Sequence, residues 1–334
     1  MPGHRIDATQ HRKGPMMNMH LTRREMLATG AAAALPLLGT TSAGAGAEAA
    51  AVQPVVGIST LGFHDYTNAE LAEELAANRV HTVQLFLMQK DSHYWVYNGR
   101  NDVSSLDAAR CRDIADAYRS RGISIHSIGV YTNLIHPDEQ ERNENLRYFE
   151  AMFRVGAAMD VRTFVTEAGH YEPKEHDGGM TYYLRENVWH QMVATGKTLA
   201  ELADAHDATV LLEPFHNGFL ASAKRTRLFI EAIDSRRIRA LLDPANLIEL
   251  NDLPEMFAQL SPYIDCLHAK DRKLHVERGV AAGMGDLNYD EFVALAAKYT
   301  PHAPFILEYV GAADYKAALE LLQDAIRRHQ SGAV

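Results

Sequence analysis

The sequence predicts an α/β protein with a single (β/α)8 TIM barrel, and three observations support this. Short apolar runs alternate with longer stretches of helical periodicity from residue 53 to residue 330. The short runs are continuously apolar, which is typical of a parallel sheet covered by helices. Eight such strand–helix units fit into about 280 residues, a usual length for a closed barrel. We therefore expect one barrel domain over residues 53–330 and no second domain.

The predicted strands are apolar runs of five to eight residues, most of which end at polar or charged residues. Runs of this length bounded by polar residues are typical of buried strands. Their bounds are Val55–Thr60, His81–Leu87, Ile123–Val130, Val161–Thr166, Thr209–Glu213, Ile238–Asp243, Ile264–His268 and Phe305–Val310.

Each predicted strand is followed by a stretch with apolar residues at helical spacing. Gly122 stands where the second helix should have its C-terminal cap. An open doubly wound sheet is the main alternative, but the Gly-x-Gly-x-x-Gly turn that it often uses is missing after the first strand. The predicted helices are Asn68–Asn78, Leu106–Arg121, Pro137–Met159, Glu186–His206, Ala223–Asp234, Leu253–Leu260, Tyr289–Lys298 and Ala312–Arg328.

Residues 1–47 predict an export signal and a flexible leader. Arg23 and Arg24 precede an apolar, Ala-rich run, Leu27–Leu38, and small residues with Ala-x-Ala spacing follow at positions 43–47. This order is typical of a secretory signal, and the paired arginines resemble a twin-arginine signal, which exports folded proteins. We expect a periplasmic or exported protein that uses the twin-arginine export machinery. A disordered or amphipathic extension with a chance Arg-Arg pair is the alternative.

Charge and composition narrow the range of partners. The formal charge is −10; without residues 1–47 there remain 33 − 5 = 28 basic and 43 − 2 = 41 acidic residues, a net −13. The basic residues form no block, so a nucleic-acid partner is not expected. No segment after the leader reaches about 20 apolar residues, so we expect no stable membrane insertion. We expect Cys111 and Cys266 to be buried free thiols, and a homo-oligomer is possible.

Four strands in the second half of the chain each end at or just before one side chain that can bind a metal ion. These side chains are 30, 25 and 40 residues apart, about one strand–helix repeat each. The C-terminal ends of barrel strands meet at one mouth, so we expect the four to converge there. Taken singly, each has a plainer alternative as a helix cap, a surface charge or a core histidine. The four are Glu213, Asp243, His268 and Glu308.

The chemistry of these ligands predicts one divalent ion. Three carboxylates and one imidazole suit Mn²⁺, Mg²⁺ or Co²⁺, with Zn²⁺ possible, whereas the lack of a thiolate argues against a closed structural zinc site. Burying three carboxylates together without a cation would be costly. We therefore expect a metal ion to be part of the site.

Four ordered motifs around these residues resemble the xylose-isomerase-like TIM-barrel superfamily, and within it the sugar (phosphate) isomerase/epimerase family. The resemblance covers roughly residues 53–330. It implies that the four residues named above are metal ligands and that Glu213 and Glu308 are also the paired acid–base glutamates of a ketose epimerase. The motifs are Leu212-Glu213-Pro214, Leu242-Asp243-Pro244-Ala245-Asn246, His268-Ala269-Lys270-Asp271 and Gly283-x-Gly285-Asp286.

The resemblance implies a metal-dependent isomerase or epimerase that acts on an unphosphorylated sugar or keto-sugar. A metal ion on the sugar's carbonyl and hydroxyl oxygens would stabilise an enediolate, and two carboxylates would remove and return the proton. Export and the lack of a convincing phosphate-binding loop argue against a phosphorylated substrate. The epimerases have a histidine where this chain has Asn246, and this departure argues against C3-epimerisation.

Three other functions are alternatives. A lyase or dehydratase acting on a 3-keto-glycoside or related keto-sugar would use the same enediolate and then expel a leaving group. A non-catalytic sugar-binding barrel is the second alternative. A DNA-repair endonuclease of the same superfamily is disfavoured, because such enzymes hold three zinc ions and need a basic face, whereas this chain is acidic.

Further polar side chains near the predicted strand ends are candidates for substrate binding. Each has a core, capping or turn role as its alternative. In the loop after the second strand, Tyr94, Trp95 and Tyr97 could stack on a sugar ring. The polar candidates are His126, Glu167, His170, His216, Asn246 and Lys270.

Overall fold

A computed structural model describes residues 53–171, 180–276 and 279–333. The predicted signal and leader, residues 1–47, lie outside the described residues. Within the described ranges, eight parallel strands close into a barrel with helices between them, so the predicted (β/α)8 barrel is confirmed. Among the described helices, none combines the length and the apolar character needed to cross a membrane.

The barrel strands follow one another around the barrel in chain order, and the last strand pairs with the first. A short antiparallel hairpin, β8 with β9, interrupts the alternation after the seventh barrel strand. The strands are β1 (Val56–Ser59), β2 (Thr82–Leu85), β3 (Ser124–Gly129), β4 (Thr163–Thr166), β5 (Thr209–Leu212), β6 (Ile238–Leu242), β7 (Ile264–Ala269), β8 (Asp271–Arg272), β9 (Gly279–Val280) and β10 (Phe305–Leu307).

Most of the described helices start where a side chain caps the first free N–H groups, which shifts some starts from the predicted positions. Asp107 accepts a hydrogen bond from the next turn, so the second helix begins after it and not at Leu106. Two single-turn helices, α4 and α7, were not predicted. The helices are α1 (Asn68–Ala77), α2 (Ala108–Arg119), α3 (Glu139–Ala158), α4 (Met180–Tyr183), α5 (Glu186–Ala205), α6 (Ala223–Ile233), α7 (Pro244–Leu247), α8 (Leu253–Leu260), α9 (Tyr289–Tyr299) and α10 (Tyr315–Gln330).

The apolar core has two layers. The larger layer joins the strands to the surrounding helices. The smaller is built from alternate residues of the strands, and Leu211, Leu241, Cys266 and Ile306 belong to it. Cys111 and Cys266 are both buried and free, as expected.

Candidate metal and acid–base site

The pleat of four strands positions the four predicted ligands. Successive side chains of a strand alternate between its two faces. Each ligand comes two residues after a residue of the smaller core layer, for example Glu213 after Leu211 and His268 after Cys266. The ligands therefore lie on the same side of the barrel wall as that layer, directly above it.

The four side chains form one compact buried cluster. One potential ligand atom from each of Glu213, Asp243, His268 and Glu308 lies within 4.8 Å of the others. His268 Nδ1 is 3.4 Å from Glu213 Oε1, 3.7 Å from Asp243 Oδ2 and 3.5 Å from Glu308 Oε2. All four residues are at most 5% exposed. The structure thus brings the predicted ligands together, and this group could bind a metal ion.

Two orphaned atoms fit a cation at the centre of the cluster. His268 Nε2 lies 2.7 Å from Gln84 Oε1, and an amide oxygen only accepts, so this contact places a proton on Nε2. The other ring nitrogen, Nδ1, then faces the carboxylates, and it has no hydrogen-bond partner. Asp243 Oδ2 also lacks a hydrogen bond. A histidine oriented through one nitrogen, with the other free, is the usual arrangement of a metal ligand.

Lys270 adds one positive charge to the cluster. Its Nζ is 2.6 Å from Asp243 Oδ2, an ionic contact without hydrogen-bond geometry, and it donates a hydrogen bond of 3.0 Å to Glu308 Oε2. Burial alone would lower the pKa of Lys270, but the carboxylates of Asp243 and Glu308 raise it well above its usual value. Lys270 is therefore an ammonium ion, and it offsets part of the negative charge.

The pKa values of the predicted ligands reflect this crowding. Burial alone would raise the pKa of Asp243, but Lys270 and His268 lower it to about 2. Burial raises the pKa of Glu308 above its usual value, although Lys270 and His268 oppose the shift. Burial alone would lower the pKa of His268, but Glu308 and Glu213 raise it to about 10. Binding of a metal ion through Nδ1 would therefore require this imidazole to lose a proton.

Glu213 is held by two neutral donors. The Tyr131 hydroxyl donates a hydrogen bond of 2.5 Å to Oε2, and Asn246 Nδ2 donates one of 2.8 Å to Oε1. Asn246 lies on α7, whose N-terminus Asp243 caps by accepting the Asn246 N–H through Oδ1. Asp243 thus fixes the position of Asn246, which in turn orients Glu213. Tyr131 and Gln84 were missed by sequence reasoning, because no local pattern shows such contacts.

The predicted motif Gly283-x-Gly285-Asp286 folds against Asp271, next to the cluster. The Asp271 carboxylate accepts hydrogen bonds from the backbone N–H groups of Arg272, Gly283 and Leu287. Gly283 has a φ of 85°, which favours glycine. This network holds the segment after β9 against Asp271, the residue next to Lys270.

A cavity of about 410 Å³ opens onto the cluster. From the second half of the barrel it is lined by Glu213, Asn246, Lys270 and Glu308, among others, and from the first half mainly by aromatic residues and Glu167. Two of the candidates for substrate binding, Asn246 and Lys270, thus line the cavity beside the cluster.

Glu167 and His170 form a polar group at the first half of the barrel. The Tyr97 hydroxyl donates to Glu167 Oε2 at 2.9 Å, and His170 Nε2 lies 3.0 Å from the same oxygen. Tyr97, Trp95 and Glu167 line the cavity, whereas Tyr94 is not among its lining residues. The hydroxyl of Tyr94 instead accepts a hydrogen bond from Ser105.

Two predicted substrate contacts lie elsewhere. His126 was expected at the end of the third strand, but it lies inside both the predicted strand Ile123–Val130 and the observed β3, so that placement is wrong. His126 instead contacts Ser127 Oγ at 3.1 Å. His216 Nδ1 is 3.0 Å from the backbone oxygen of Asn246, which is the turn role considered as its alternative. Neither histidine is among the residues that line the cavity.

The eighth barrel strand is shorter than predicted because of the backbone conformation of Tyr309, a residue of the site. Tyr309 has a φ of 56°, a left-handed conformation that costs a non-glycine residue about 1–2 kcal/mol. It ends the strand, so β10 stops at Leu307 and not at Val310. The ring of Tyr309 lines the cavity, and its centroid is 4.5 Å from Lys270 Nζ. A strained backbone is thus found beside the candidate ligand Glu308.

The sequence model of the xylose isomerase-like TIM barrel family matches residues 73–325, about three quarters of the chain. The chain belongs to this family. A comparison with curated protein sequences found no match. The resemblance seen in the four sequence motifs is therefore confirmed at the level of the superfamily.

Solved structures with the fold of this xylose isomerase-like barrel include enzymes of different classes. One is a 3-keto-D-glucoside 4-epimerase from E. coli (14% identity, TM-score 0.63, 81% of this chain and 99% of that chain). Another is a probable 3-DHS dehydratase involved in petrobactin synthesis from Bacillus anthracis (16%, 0.64, 81% and 98%). A third is a xylose isomerase-like barrel from Mycobacterium smegmatis in complex with magnesium (16%, 0.61, 83% and 97%). At these identities the likeness shows the fold alone.

Proposed function

We propose that this xylose isomerase-like barrel is a metal-dependent isomerase or epimerase that acts on an unphosphorylated sugar or keto-sugar through an enediolate. The observation that carries the proposal is the buried cluster of three carboxylates and one imidazole, in which His268 Nδ1 and Asp243 Oδ2 have no hydrogen-bond partner. The fold it shares with a keto-glucoside epimerase supports the reaction class. The same shared fold supports enzyme function for the chain.

Glu213, Asp243, His268 and Glu308 would hold one divalent ion. Bound there, the ion would supply positive charge to the oxygens on which negative charge develops as a proton leaves the neighbouring carbon. Carboxylate and imidazole ligands without a thiolate are compatible with Mg²⁺, Mn²⁺ or Co²⁺, and Zn²⁺ is possible. The magnesium complex of a structural neighbour supports a divalent ion.

Glu213 and Glu308 are the proposed acid–base pair, and their surroundings give them different properties. Tyr131 and Asn246 fix both oxygens of Glu213 and so orient that carboxylate. Burial raises the pKa of Glu308, so this side chain can hold a proton more readily than an exposed glutamate. Two carboxylates of unequal environment suit a reaction in which one removes a proton and the other returns it.

Hydrogen exchange tests the proposal. The full chain, loaded with Mg²⁺ or Mn²⁺, is incubated in deuterated water with aldoses, ketoses and 3-keto-glycosides, and deuterium incorporation is followed by mass spectrometry and NMR. We expect exchange at the carbon next to the carbonyl, lowered at least about 100-fold in Glu213→Gln and Glu308→Gln. Glu201→Gln, at an exposed helix position, is the matched control. Full turnover and full metal content in both site variants would refute the assignment.

A lyase or dehydratase is the second candidate, and the dehydratase among the structural neighbours favours it. After removal of the proton, expulsion of a β-leaving group needs only an acid beside that group. The same incubation separates the two reactions, because epimerisation exchanges hydrogen without loss of mass whereas elimination releases water or an aglycone. Bound metal without exchange on any sugar would favour a sugar-binding protein.

We also propose that the protein is exported by the twin-arginine machinery to the periplasm or beyond. Arg23, Arg24 and the apolar run Leu27–Leu38 support this proposal. N-terminal sequencing of the mature protein tests it: we expect a start after residue 40, and a mature chain that keeps the residues before 40 would refute it.

A further inference from the structure

Four aromatic rings form a continuous wall along the cavity. We define the aromatic wall as Phe86, Trp95, Tyr97 and Tyr131, all of which line the cavity. Ring centroids are 5.4 Å apart for Phe86–Trp95, 5.6 Å for Phe86–Tyr131, 6.2 Å for Trp95–Tyr97 and 6.3 Å for Tyr97–Tyr131. Phe86 is buried, whereas Tyr97 is 48% exposed. Large apolar area therefore remains available at the outer end of the wall.

The aromatic wall extends from the buried cluster to a further carboxylate, Glu167. At its inner end the Tyr131 hydroxyl is bonded to Glu213 Oε2, and at its outer end the Tyr97 hydroxyl is bonded to Glu167 Oε2. A ligand whose reacting carbon lies beside Glu213 would therefore have the rest of its body against the rings. The wall thus marks the place for the part of the substrate that does not react.

Glu167 restricts the charge that the non-reacting part of the substrate can carry. Both of its contacts, from Tyr97 and with His170, fall on Oε2; among the described residues no donor reaches Oε1. A carboxylate oxygen of this kind accepts hydrogen bonds from hydroxyl groups. It also repels carboxylate and phosphate groups placed beside it.

We propose that the substrate carries a neutral pyranose ring that packs on the aromatic wall and donates hydroxyl hydrogen bonds to Glu167. This inference rests on the proposed function and names the substrate class within it. The cavity of about 410 Å³ lies in the usual range for small-molecule sites, about 300–1,000 Å³. An open-chain ketose would leave most of the wall uncovered, whereas the C–H face of a ring covers it.

The chain offers a selective reporter for this test. Its two tryptophans are Trp95 and Trp189, and Trp189 packs between Phe219 and Phe229, away from the residues that line the cavity. In the full-length Trp189→Phe variant, all tryptophan emission comes from Trp95. This protein, loaded with Mg²⁺, is titrated with three probes that share a six-carbon skeleton.

The probes separate ring from chain and neutral from anionic ligands. They are methyl α-D-glucopyranoside, D-glucitol and D-glucuronate. We expect the neutral pyranoside to change Trp95 emission with a Kd at least about fivefold lower than that of the other two. Calorimetry of the same protein checks binding directly. No binding heat with the pyranoside, or equal or tighter binding of glucitol or of glucuronate, would overturn the inference.

Variants at Tyr97 test the role of the wall itself. Tyr97→Ala removes the exposed ring, and we expect it to raise the Kd for the pyranoside at least about fivefold. Tyr97→Phe keeps the ring and loses only the hydroxyl bond to Glu167, so we expect it to retain most of the affinity. Because Tyr97 is half exposed, neither change threatens folding. Unchanged binding in Tyr97→Ala would contradict the inference.

The titration is independent of turnover, since none of the experiment relies on proton transfer in the bound probe. Deuterium exchange without a preference for the neutral pyranoside would leave the proposed function standing and overturn the inference. A clear preference without exchange on any keto-sugar would support the aromatic wall as a sugar site and count against the proposed reaction.

Discussion

At the scale of single residues, Lys270 decides the charge of the site. Glu213, Asp243 and Glu308 carry three negative charges when ionised, and the Lys270 ammonium contacts two of these groups. One divalent ion together with Lys270 would therefore make the cluster neutral, with His268 in its uncharged form. Buried groups are tolerated when their charges balance, so the residues match a divalent better than a trivalent ion.

The first prediction concerns this lysine. Lys270→Met leaves Asp243 and Glu308 buried without one of their two counter-charges, and we expect it to destabilise the metal-free protein by about 3 kcal/mol. Urea unfolding in EDTA measures the loss, and Mg²⁺ should restore more stability in the variant than in the parent. Lys197→Met, at an exposed helix position, is the control. An unchanged midpoint in EDTA would show that the ammonium does not balance these carboxylates.

At the scale of elements, the segment after β7 shapes one edge of the site. A Cβ atom at Gly285 would meet Asp271 Oδ1 and the backbone of Arg272 more closely than real Cβ atoms come. Asp271 accepts hydrogen bonds from the N–H groups of Arg272, Gly283 and Leu287, which hold the segment after β9 in place. Glycine at this position is therefore required by close approach.

The second prediction follows from that close approach. We expect Gly285→Ala to lower the free energy of unfolding by about 2 kcal/mol and to weaken Mg²⁺ binding, because Asp271 is next to Lys270. Calorimetry and urea unfolding give both quantities. In Gly99→Ala, where the nearest neighbour would be 3.6 Å away, neither should change much. Equal unfolding free energy and equal Mg²⁺ affinity in the two variants would mean that the segment around Gly285 can shift to make room for the Cβ atom.

The strands and their endings show what sequence could and could not predict at this scale. Apolar runs predicted all eight barrel strands, and a ligand two residues beyond a core residue follows from the alternation of a strand. The end of a strand inside an apolar run is not visible in sequence, and β10 therefore ends before the predicted Val310. Tyr309 ends β10 through a left-handed backbone conformation, which no residue type at that position signals.

At the scale of the whole molecule, His126 links stability to pH. Burial lowers its pKa from the usual 6.5 to about 4, and Asp265 only partly opposes the shift. The folded state therefore binds fewer protons at this site than the unfolded state between pH 6.5 and pH 4. Stability must fall as pH decreases through that window and level off below it.

The third prediction concerns how much unfolding free energy the protein loses as pH decreases. A pKa of about 4 in place of 6.5 corresponds to about 3 kcal/mol. His126→Gln cannot titrate, so we expect its unfolding free energy to decrease less than that of the parent between pH 7 and pH 4. Urea unfolding at several pH values measures the difference. Parallel curves for the two proteins would contradict the half-buried, neutral state of His126.

The whole fold was predictable because each strand and each helix has its own local pattern of apolar residues, and these patterns repeat along the chain. The ligand cluster was predictable because a barrel brings its strand ends to one mouth. The supporting contacts were not, since they join distant parts of the chain: Gln84 and His268 are 184 residues apart, and Tyr131 and Glu213 are 82 apart. Only the closed barrel makes these residues neighbours.

We propose that Glu213, Asp243, His268 and Glu308 hold one divalent ion. The decisive experiment is calorimetric titration of the metal-free full chain with Mg²⁺ and Mn²⁺, beside Asp243→Asn and His268→Gln. We predict binding of one ion per chain and a loss of affinity of at least about 100-fold in each variant. Absence of binding in the parent protein, or equal affinity in all three proteins, would contradict it.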